Sequence, residues 1–439
     1  MVRFATRHVL AATLGAAAAA TIREAQNDLG ALADSLKFRG SVYATYSAVL
    51  PRAIQAYDTI SALVNDTGLA PQAPTIRSSL ARLITESSYF VTESLQPGFE
   101  PDPLESDSYL TASVTEWSYT VKVLSNNIAT PACDIRSNLP PAQACTISSD
   151  AAPGTEFRDN ALTPRMIVIP TGSFTAGATD DEHVRWDIDE GKKPFEIPQR
   201  QVSISKKLAF SVTEVTVAEF DAFIQATCYQ LRNGARWWNP QNVSQFVFND
   251  ALSYRNPGFP QGPDHPVVAI TRYDAQAYAQ WLSAITGAVY RLPNEDEWEW
   301  AARGGTQTTF FWGNDLPPAA EYANTYDDTA AAVNRFRWPS NHLVDPFPYT
   351  APVASFKPNG YGLYDVIGNA REFTADDWQK NLSTAARDGS IHKGPAPFPV
   401  VRGGAWNYNP DNLRINYRSG YLSSEVATNM FGIRVVRDL

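Results

Sequence analysis

Apolar residues between Thr21 and Val123 recur at intervals of three and four. Leu29, Leu32 and Leu36 form one such row, Ile60 and Leu63 another, and Leu80, Leu83 and Ile84 a third. That spacing lines up one face of an α-helix per row. Breaks at Gly68-Leu-Ala-Pro-Gln-Ala-Pro74 and Pro97-Gly-Phe-Glu-Pro-Asp-Pro103 divide the stretch into three or four helices of roughly 15–25 residues, enough for a small bundle. Further on the period changes. Arg165-Met-Ile-Val-Ile-Pro-Thr-Gly-Ser-Phe174 reads as strand, turn and strand, while Gln201–Ser205 and Leu208–Thr216 alternate with period two, as strands do. Helices punctuate these strands. Thr216, with Glu219 three residues on, forms a capping box. Asp274 is the expected N-cap of a helix reaching Thr286, and Asn294 with Glu297 opens another.

Residues 1–20 stand apart. Arg3 and Arg7 precede the run from Val9 to Ala20, and a basic start followed by small apolar residues is the pattern of a secretory signal or an uncleaved anchor. The run falls short of the ~20 apolar residues of a membrane span. Residues 21–123 are assigned to the helical bundle, 124–162 to a linker and 163–439 to a second domain. The bundle has no histidine, hence no obvious ligand set, and is expected to be a docking or oligomerisation element, joining a protein partner or a larger assembly.

Composition narrows the classes. There are 36 Lys and Arg against 46 Asp and Glu, a net charge of -10, without the basic clusters that nucleic acid requires, so nucleic acid is not a partner. The 25 glycines, 31 prolines and 51 aromatic residues (11 Trp, 19 Tyr, 21 Phe) describe an irregular, aromatic-cored globule. Three cysteines occur. Cys133 and Cys145 flank the turn-rich Asn138-Leu-Pro-Pro-Ala142 and are expected to pair, closing a loop worth roughly 2–3 kcal/mol. Cys228 reads as a small buried hydrophobe.

Three segments of the C-terminal third carry dense patterns. They are Arg291-Leu-Pro-Asn-Glu-Asp-Glu-Trp-Glu-Trp-Ala-Ala-Arg-Gly-Gly305, Asn359-Gly-Tyr-Gly-Leu-Tyr-Asp-Val-Ile-Gly-Asn-Ala-Arg-Glu-Phe373, and Arg402-Gly-Gly-Ala-Trp406 running on to Phe431-Gly-Ile-Arg-Val-Val-Arg437. In this order they closely resemble the formylglycine-generating enzyme (sulfatase-modifying factor) family, over about 165–439. The resemblance implies an α+β, C-type-lectin-like fold with short, irregular antiparallel strands and few helices, here preceded by the α-helical bundle. Capping and the helix dipole already account for the carboxylates at 295–297, with Trp298, Ala301 and Ala302 facing the core.

The resemblance also implies one or two calcium ions, a metal that takes roughly six to eight oxygen ligands. One family site corresponds to Asp365, Gly368, Ala370 and Glu372, and a second to Asn324, Thr325, Asp345 and Phe347. The alternative is a pair of hydrogen-bonded turns. The family's chemistry rests on a cysteine pair after a Gly-Gly-Ser-like turn. Setting Gly403-Gly404 on that turn puts Ala405 at the serine, Tyr408 at the first cysteine and Leu413 at the second, while Arg371 stands where the family has tryptophan. Copper(I) needs soft thiolate ligands, which Tyr and Leu cannot supply. Neither copper nor formylglycine generation is therefore expected, and Arg371, Ala405, Trp406, Asn407, Tyr408, Asn409 and Leu413 become a former active-site or binding face.

The leading expectation is a periplasmic or extracellular, non-catalytic binding or assembly protein, membrane-associated if residues 1–20 act as an anchor. Two other branches of the resemblance remain. One is a metal-dependent oxidoreductase similar to pyoverdine-maturation proteins, although no residue set here specifies its chemistry. The other is a ligand-binding variable protein of a diversity-generating retroelement, in which Asn412, Asn416, Tyr417 and Tyr421 would join Trp406–Asn409 on an adaptable face. Against that face, the same side chains would fill the core, with Arg414 and Arg418 pairing with carboxylates. His183, His265, His342 and His392 are too dispersed for a metal site.

Overall fold

The computed structural model describes residues 2–439 apart from 39, 66–68, 97–106, 129–146 and 387. It divides into two compact units, one of Met1–Asp102, Tyr109–Asp134 and Pro395–Pro397, the other of the remaining chain.

The first unit holds α1 (Val2–Ser35), α2 (Val42–Val64), α3 (Ala73–Glu93) and α4 (Asp107–Asn127); the expected breaks part α2 from α3 and α3 from α4, while the one between Ser35 and Val42 is not among them. Ser41 caps α2, its hydroxyl accepting the Ala44 amide at 3.4 Å. Leu29, Leu32, Leu36, Ile60, Leu63, Leu80 and Leu83 are all buried, as a three-and-four spacing requires of inner faces. Glu86 is buried among them, with a donor for each oxygen: the Tyr46 hydroxyl at 2.6 Å and the Trp117 indole N–H at 2.7 Å. Helix α1 runs unbroken past residue 20, so the apolar start and the bundle share one helix. Among the described residues no helix is long and apolar enough to cross a membrane.

The second unit is built from short strands: β1 (Glu156–Phe157), β2 (Met166–Ile169), β3 (Gly172–Ala176), β4 (Arg200–Ile204), β5 (Leu208–Ser211), β6 (Ala235–Trp238), β7 (Phe246–Asn249), β8 (Tyr290–Arg291), β9 (Arg371–Asp377), β10 (Pro399–Arg402), β11 (Ser419–Gly420), β12 (Phe431–Gly432) and β13 (Val436–Asp438). They form a five-stranded sheet ordered β1-β2-β5-β13-β8, a four-stranded sheet ordered β11-β10-β9-β12, and the ribbons β3-β4 and β6-β7. Pairing is antiparallel except between β12 and β9. The α+β class and the irregular, short-stranded architecture are those expected.

Between the strands lie α5 (Asp180–Arg185), α6 (Val217–Thr227), α7 (Arg272–Thr286) and α8 (Glu295–Arg303). The capping boxes of α6 (Thr216 with Glu219) and α8 (Asn294 with Glu297) form as expected. Helix α7 starts earlier than expected. Thr271 is its N-cap, and Asp274 stands at the third position, where its carboxylate accepts the Thr271 amide at 2.8 Å. A bridge from Thr271 to Ala427 holds the cap residue extended, which places the turn into helix immediately after it. Cys228 also departs from expectation. It is half-buried at the left-handed C-cap of α6 (φ 51°) and disulfide-bonded, a fate set by a distant thiol and not by its own burial. The chain has only three cysteines, so a bond at Cys228 takes one of the two thiols that the expected Cys133–Cys145 pairing needs, and that pairing is corrected; Cys133 and Cys145 themselves lie outside the described residues.

Phe174, Phe210, Trp298, Trp300, Phe310 and Leu413 belong to the main apolar core, against which α8 packs. Charge is buried there too. Glu295 accepts from Arg402 Nη1 at 2.6 Å and Arg418 Nη2 at 2.9 Å, Glu299 from Arg303 and Arg402 at 2.7 and 3.0 Å, and Asp296 from Arg200 Nη1 at 3.0 Å. Burial alone would raise the Glu295 pKa, but Arg418 and Arg402 outweigh it and hold the carboxyl at about 2. These carboxylates are structural. Arg402 thereby ties β10, and the segment that follows it, to α8.

Candidate functional site

The chain leaves β10 through Gly403 and Gly404, both in the positive-φ region (98° and 72°) that favours glycine. A Cβ on Gly404 would meet the Leu413 side chain at 2.7 Å, so this turn and the 3₁₀ turn Pro410–Leu413 fold onto each other. Leu413 enters the main core fully buried. Ala405, Trp406 and Asn407 are buried as well, leaving Tyr408 and Asn409 half-buried. The outward face of amides and tyrosines envisaged from the sequence is therefore largely interior. Asn416, Tyr417 and Tyr421 are buried, Arg414 pairs with Glu196 and Glu182, and Arg418 with Glu295. Burial of those charged groups is tolerated because each finds an ionic partner.

Arg371 is the exception. It is fully buried on β9, and among the described residues it has no carboxylate partner. Nη1 donates to the Tyr408 hydroxyl at 3.2 Å and the Ser419 hydroxyl at 2.8 Å, and Nη2 to the Val401 carbonyl at 2.6 Å. Its guanidinium carbon lies 5.3, 5.2 and 5.6 Å from the ring centroids of Tyr408, Tyr417 and Phe431, within cation–π range. Burial opposes its charge, yet the surrounding phenols raise its pKa above the ordinary value. Burial, with Tyr408 adding to it, pushes the Tyr417 phenol up. The Tyr408 and Tyr421 hydroxyls lie 3.4 Å apart. The result is a permanent cation faced by three phenols, chemistry unlike a thiol pair.

A second cluster is rich in oxygen. Asp365 and Asn369 take left-handed φ values of 56° and 53°, and Gly368 lies at 82°. A Cβ on Gly368 would sit 2.1 Å from the Asn324 carbonyl oxygen, so the two stretches expected as separate ion sites touch. The Asn369 amide donates to that carbonyl at 2.9 Å, and Asn324 Nδ2 to Asn369 Oδ1 at 3.1 Å. Asp365 Oδ2 accepts from the Ala354 amide at 2.7 Å. Asp365 Oδ1 and Asn324 Oδ1 are buried without any partner. Glu372 is committed to the Trp298 indole at 2.6 Å and Arg434 Nε at 2.9 Å. The Ala370 amide donates to Glu214 at 2.8 Å.

Asp345 accepts from the Phe347 amide at 2.7 Å, while Thr325 is buried and accepts from Asn341 at 2.6 Å. Burial, with Asp327 adding, pushes the Asp345 carboxyl up to about 7, and burial pushes Asp365 up to about 6. Glu214 is held well above the usual carboxylate range by burial and then by Asp365 and Glu372. Nothing in the local spacing around Glu214 announces it; it enters from the end of β5. The cluster has surplus carboxyl oxygen and two orphan acceptors, which suit a hard cation. Among the described residues no three His, Cys, Asp or Glu form a metal-ligand group, so amide and main-chain oxygens would carry much of the coordination.

Known proteins resemble this chain in sequence and fold. Formylglycine-generating enzyme of Bos taurus is 34% identical over 277 residues, 55% of this chain and 66% of the relative, so the chain spans just under two thirds of that enzyme's length. Inactive C-alpha-formylglycine-generating enzyme 2 of Mus musculus is 28% identical over 307 residues, 62% of this chain and 85% of the relative. Among solved structures, PvdO from Pseudomonas aeruginosa is 32% identical and superposes with a TM-score of 0.55, covering 66% of this chain and 100% of PvdO. Residues 153–439 match the sulfatase-modifying factor enzyme 1-like domain, and the chain belongs to that family.

Proposed function

We propose that this chain is an exported binding or assembly protein that keeps the family's fold without its thiol chemistry. The observation that carries this reading is the pair Tyr408 and Leu413. The sequence has no cysteine after Cys228, Leu413 is fully buried in the core, and the Tyr408 hydroxyl is held by Arg371. Thiol oxidation needs a thiolate, and copper(I) needs soft sulfur donors; a phenol and an isobutyl group are neither. A relative of similar sequence bears the word inactive in its name. The disulfide at Cys228 supports an oxidising compartment.

Calcium is part of the proposal, one ion at Asp365, Gly368, Ala370 and Glu372 and one at Asn324, Thr325, Asp345 and Phe347. Support comes from the orphan oxygens of Asp365 and Asn324 and from the hard-donor chemistry of the set. Bound there, calcium would brace the loops beneath the rewritten strand. The helical unit is proposed to dock a protein partner.

The test is incubation of the purified protein with a cysteine-containing peptide, copper and oxygen, read by mass spectrometry. The cysteine is expected to remain unchanged, and its conversion to formylglycine overturns the reading. A second reading, an oxidoreductase of different chemistry similar to pyoverdine-maturation proteins, draws on the likeness to PvdO along its whole length. Stoichiometric iron or copper in the purified protein would favour it.

A further inference from the structure

An aromatic cleft opens beside the rewritten strand. Trp237 and Trp238 of β6, with Phe259, Phe336, Tyr349 and Trp406, wall a cavity of about 120 Å³. Trp406 is its hub, with ring centroids 5.5 Å from Phe259, 5.4 Å from Tyr349 and 6.0 Å from Phe336. Gly258 lets Trp237 close in, since a Cβ there would meet that ring at 2.8 Å. No charged side chain lines the cleft. Two lining residues, Trp406 and Asn407, are 3% and 1% exposed, and each has a buried polar atom without a partner: the indole N–H of Trp406 and Oδ1 of Asn407. The Asn407 backbone is fixed, its carbonyl accepting the Trp338 indole N–H at 2.9 Å. A buried donor or acceptor left unsatisfied costs about 1–3 kcal/mol, and such a cost persists where something else satisfies it.

We infer that this cleft binds a neutral, planar ligand of one aromatic ring bearing a hydroxyl or carboxamide, which accepts from Trp406 and donates to Asn407. The inference rests on the reading of the chain as a binding protein and names its ligand class. Size limits the guest: a cavity of about 150 Å³ takes a benzene ring, so this smaller, open-mouthed cleft holds no more than one. Edge and face contacts with indole and phenyl rings stabilise such a guest. The uncharged lining disfavours a carboxylate, and a trimethylammonium group has no lone pair for the Trp406 N–H and no polar hydrogen for Asn407.

The test titrates the full chain with phenol and with benzamide, following tryptophan fluorescence and calorimetry, and uses toluene, benzoate and phenyltrimethylammonium as comparison probes. Phenol or benzamide is expected to bind saturably, one per chain, with the comparison probes at least about tenfold weaker. Trp406→Phe keeps a ring but removes the N–H, and is expected to weaken binding about tenfold. Trp237→Leu, at a half-buried wall position, serves should Trp406→Phe fail to fold, and is also expected to weaken it. Equal affinity for toluene, no binding of either polar probe, or unchanged affinity in a folded variant overturns the inference. Turnover of a bound probe would instead overturn the non-catalytic reading and leave the ligand class standing.

Discussion

The buried guanidinium of Arg371 donates to the Tyr408 hydroxyl at 3.2 Å while lying over the Tyr408 ring. Arg371→Lys retains the buried charge but loses the fork that reaches Tyr408, Ser419 and Val401. Arg371→Met removes the charge and takes the guanidinium donor from three acceptors. We expect the lysine variant to lose about 3 kcal/mol and the methionine variant about 1–2 kcal/mol. Denaturant unfolding of both decides it; the opposite order would mean that the charge itself stabilises the site.

Calcium should raise the melting temperature and a chelator should lower it. A ligand at about a hundred times its Kd stabilises by about 2.7 kcal/mol. Magnesium at the same concentration should do less, because it dehydrates reluctantly and demands octahedral geometry. Asn324→Ala and Asp365→Asn should each shrink the calcium-dependent shift. Superimposable melting curves with calcium and with chelator would remove the calcium proposal.

Gly368→Ala should be far costlier than Gly287→Ala. Both glycines have positive φ, 82° and 72°, but a Cβ at Gly287 meets nothing within 4 Å, whereas one at Gly368 meets the Asn324 carbonyl at 2.1 Å. The expected losses are about 1 kcal/mol at Gly287 from conformation alone and about 3 kcal/mol or more at Gly368 from conformation plus contact. Equal losses in equilibrium unfolding would show that the two segments do not meet.

Acid stability should carry the mark of Glu295. Its carboxyl titrates at about 2 when folded, against 4.5 for an ordinary glutamate, because Arg418 and Arg402 outweigh its burial. A depressed folded value means that this contribution is present above pH 4.5 and is lost as the pH falls from 4.5 towards 2, in total about 3 kcal/mol. Glu295→Gln gives it up already at neutral pH, so its stability should fall less steeply across that window. Parallel acid limbs for the two proteins would reassign the effect.

Local signals read true and distant ones did not. The boxes at Thr216 and Asn294 were legible because cap and partner stand three residues apart. At α7 both Thr271 and Asp274 are capping types, and only the bridge from Thr271 to Ala427 selects between them. The landmark segments revealed the fold because their glycines and arginines are tied into its core. The stretch from 403 to 430 has no helical or strand period, so no pattern could say that Asn416, Tyr417 and Tyr421 turn inward. Nor could it say that Ser419 and Val401 would hold Arg371. Glu214 was invisible for the same reason, and the bond at Cys228 depends on a thiol remote in sequence.

Strand β13 lies inside the five-stranded sheet, joining β5 on one side and β8 on the other. The sheet is therefore closed by the strand that is synthesised after all its other members. While the ribosome is still translating, β5 and β8 each present an open edge, the kind of surface that recruits chaperones or neighbouring chains. A chain terminated before Val436 would leave the sheet split between β5 and β8 and become a substrate for proteolysis.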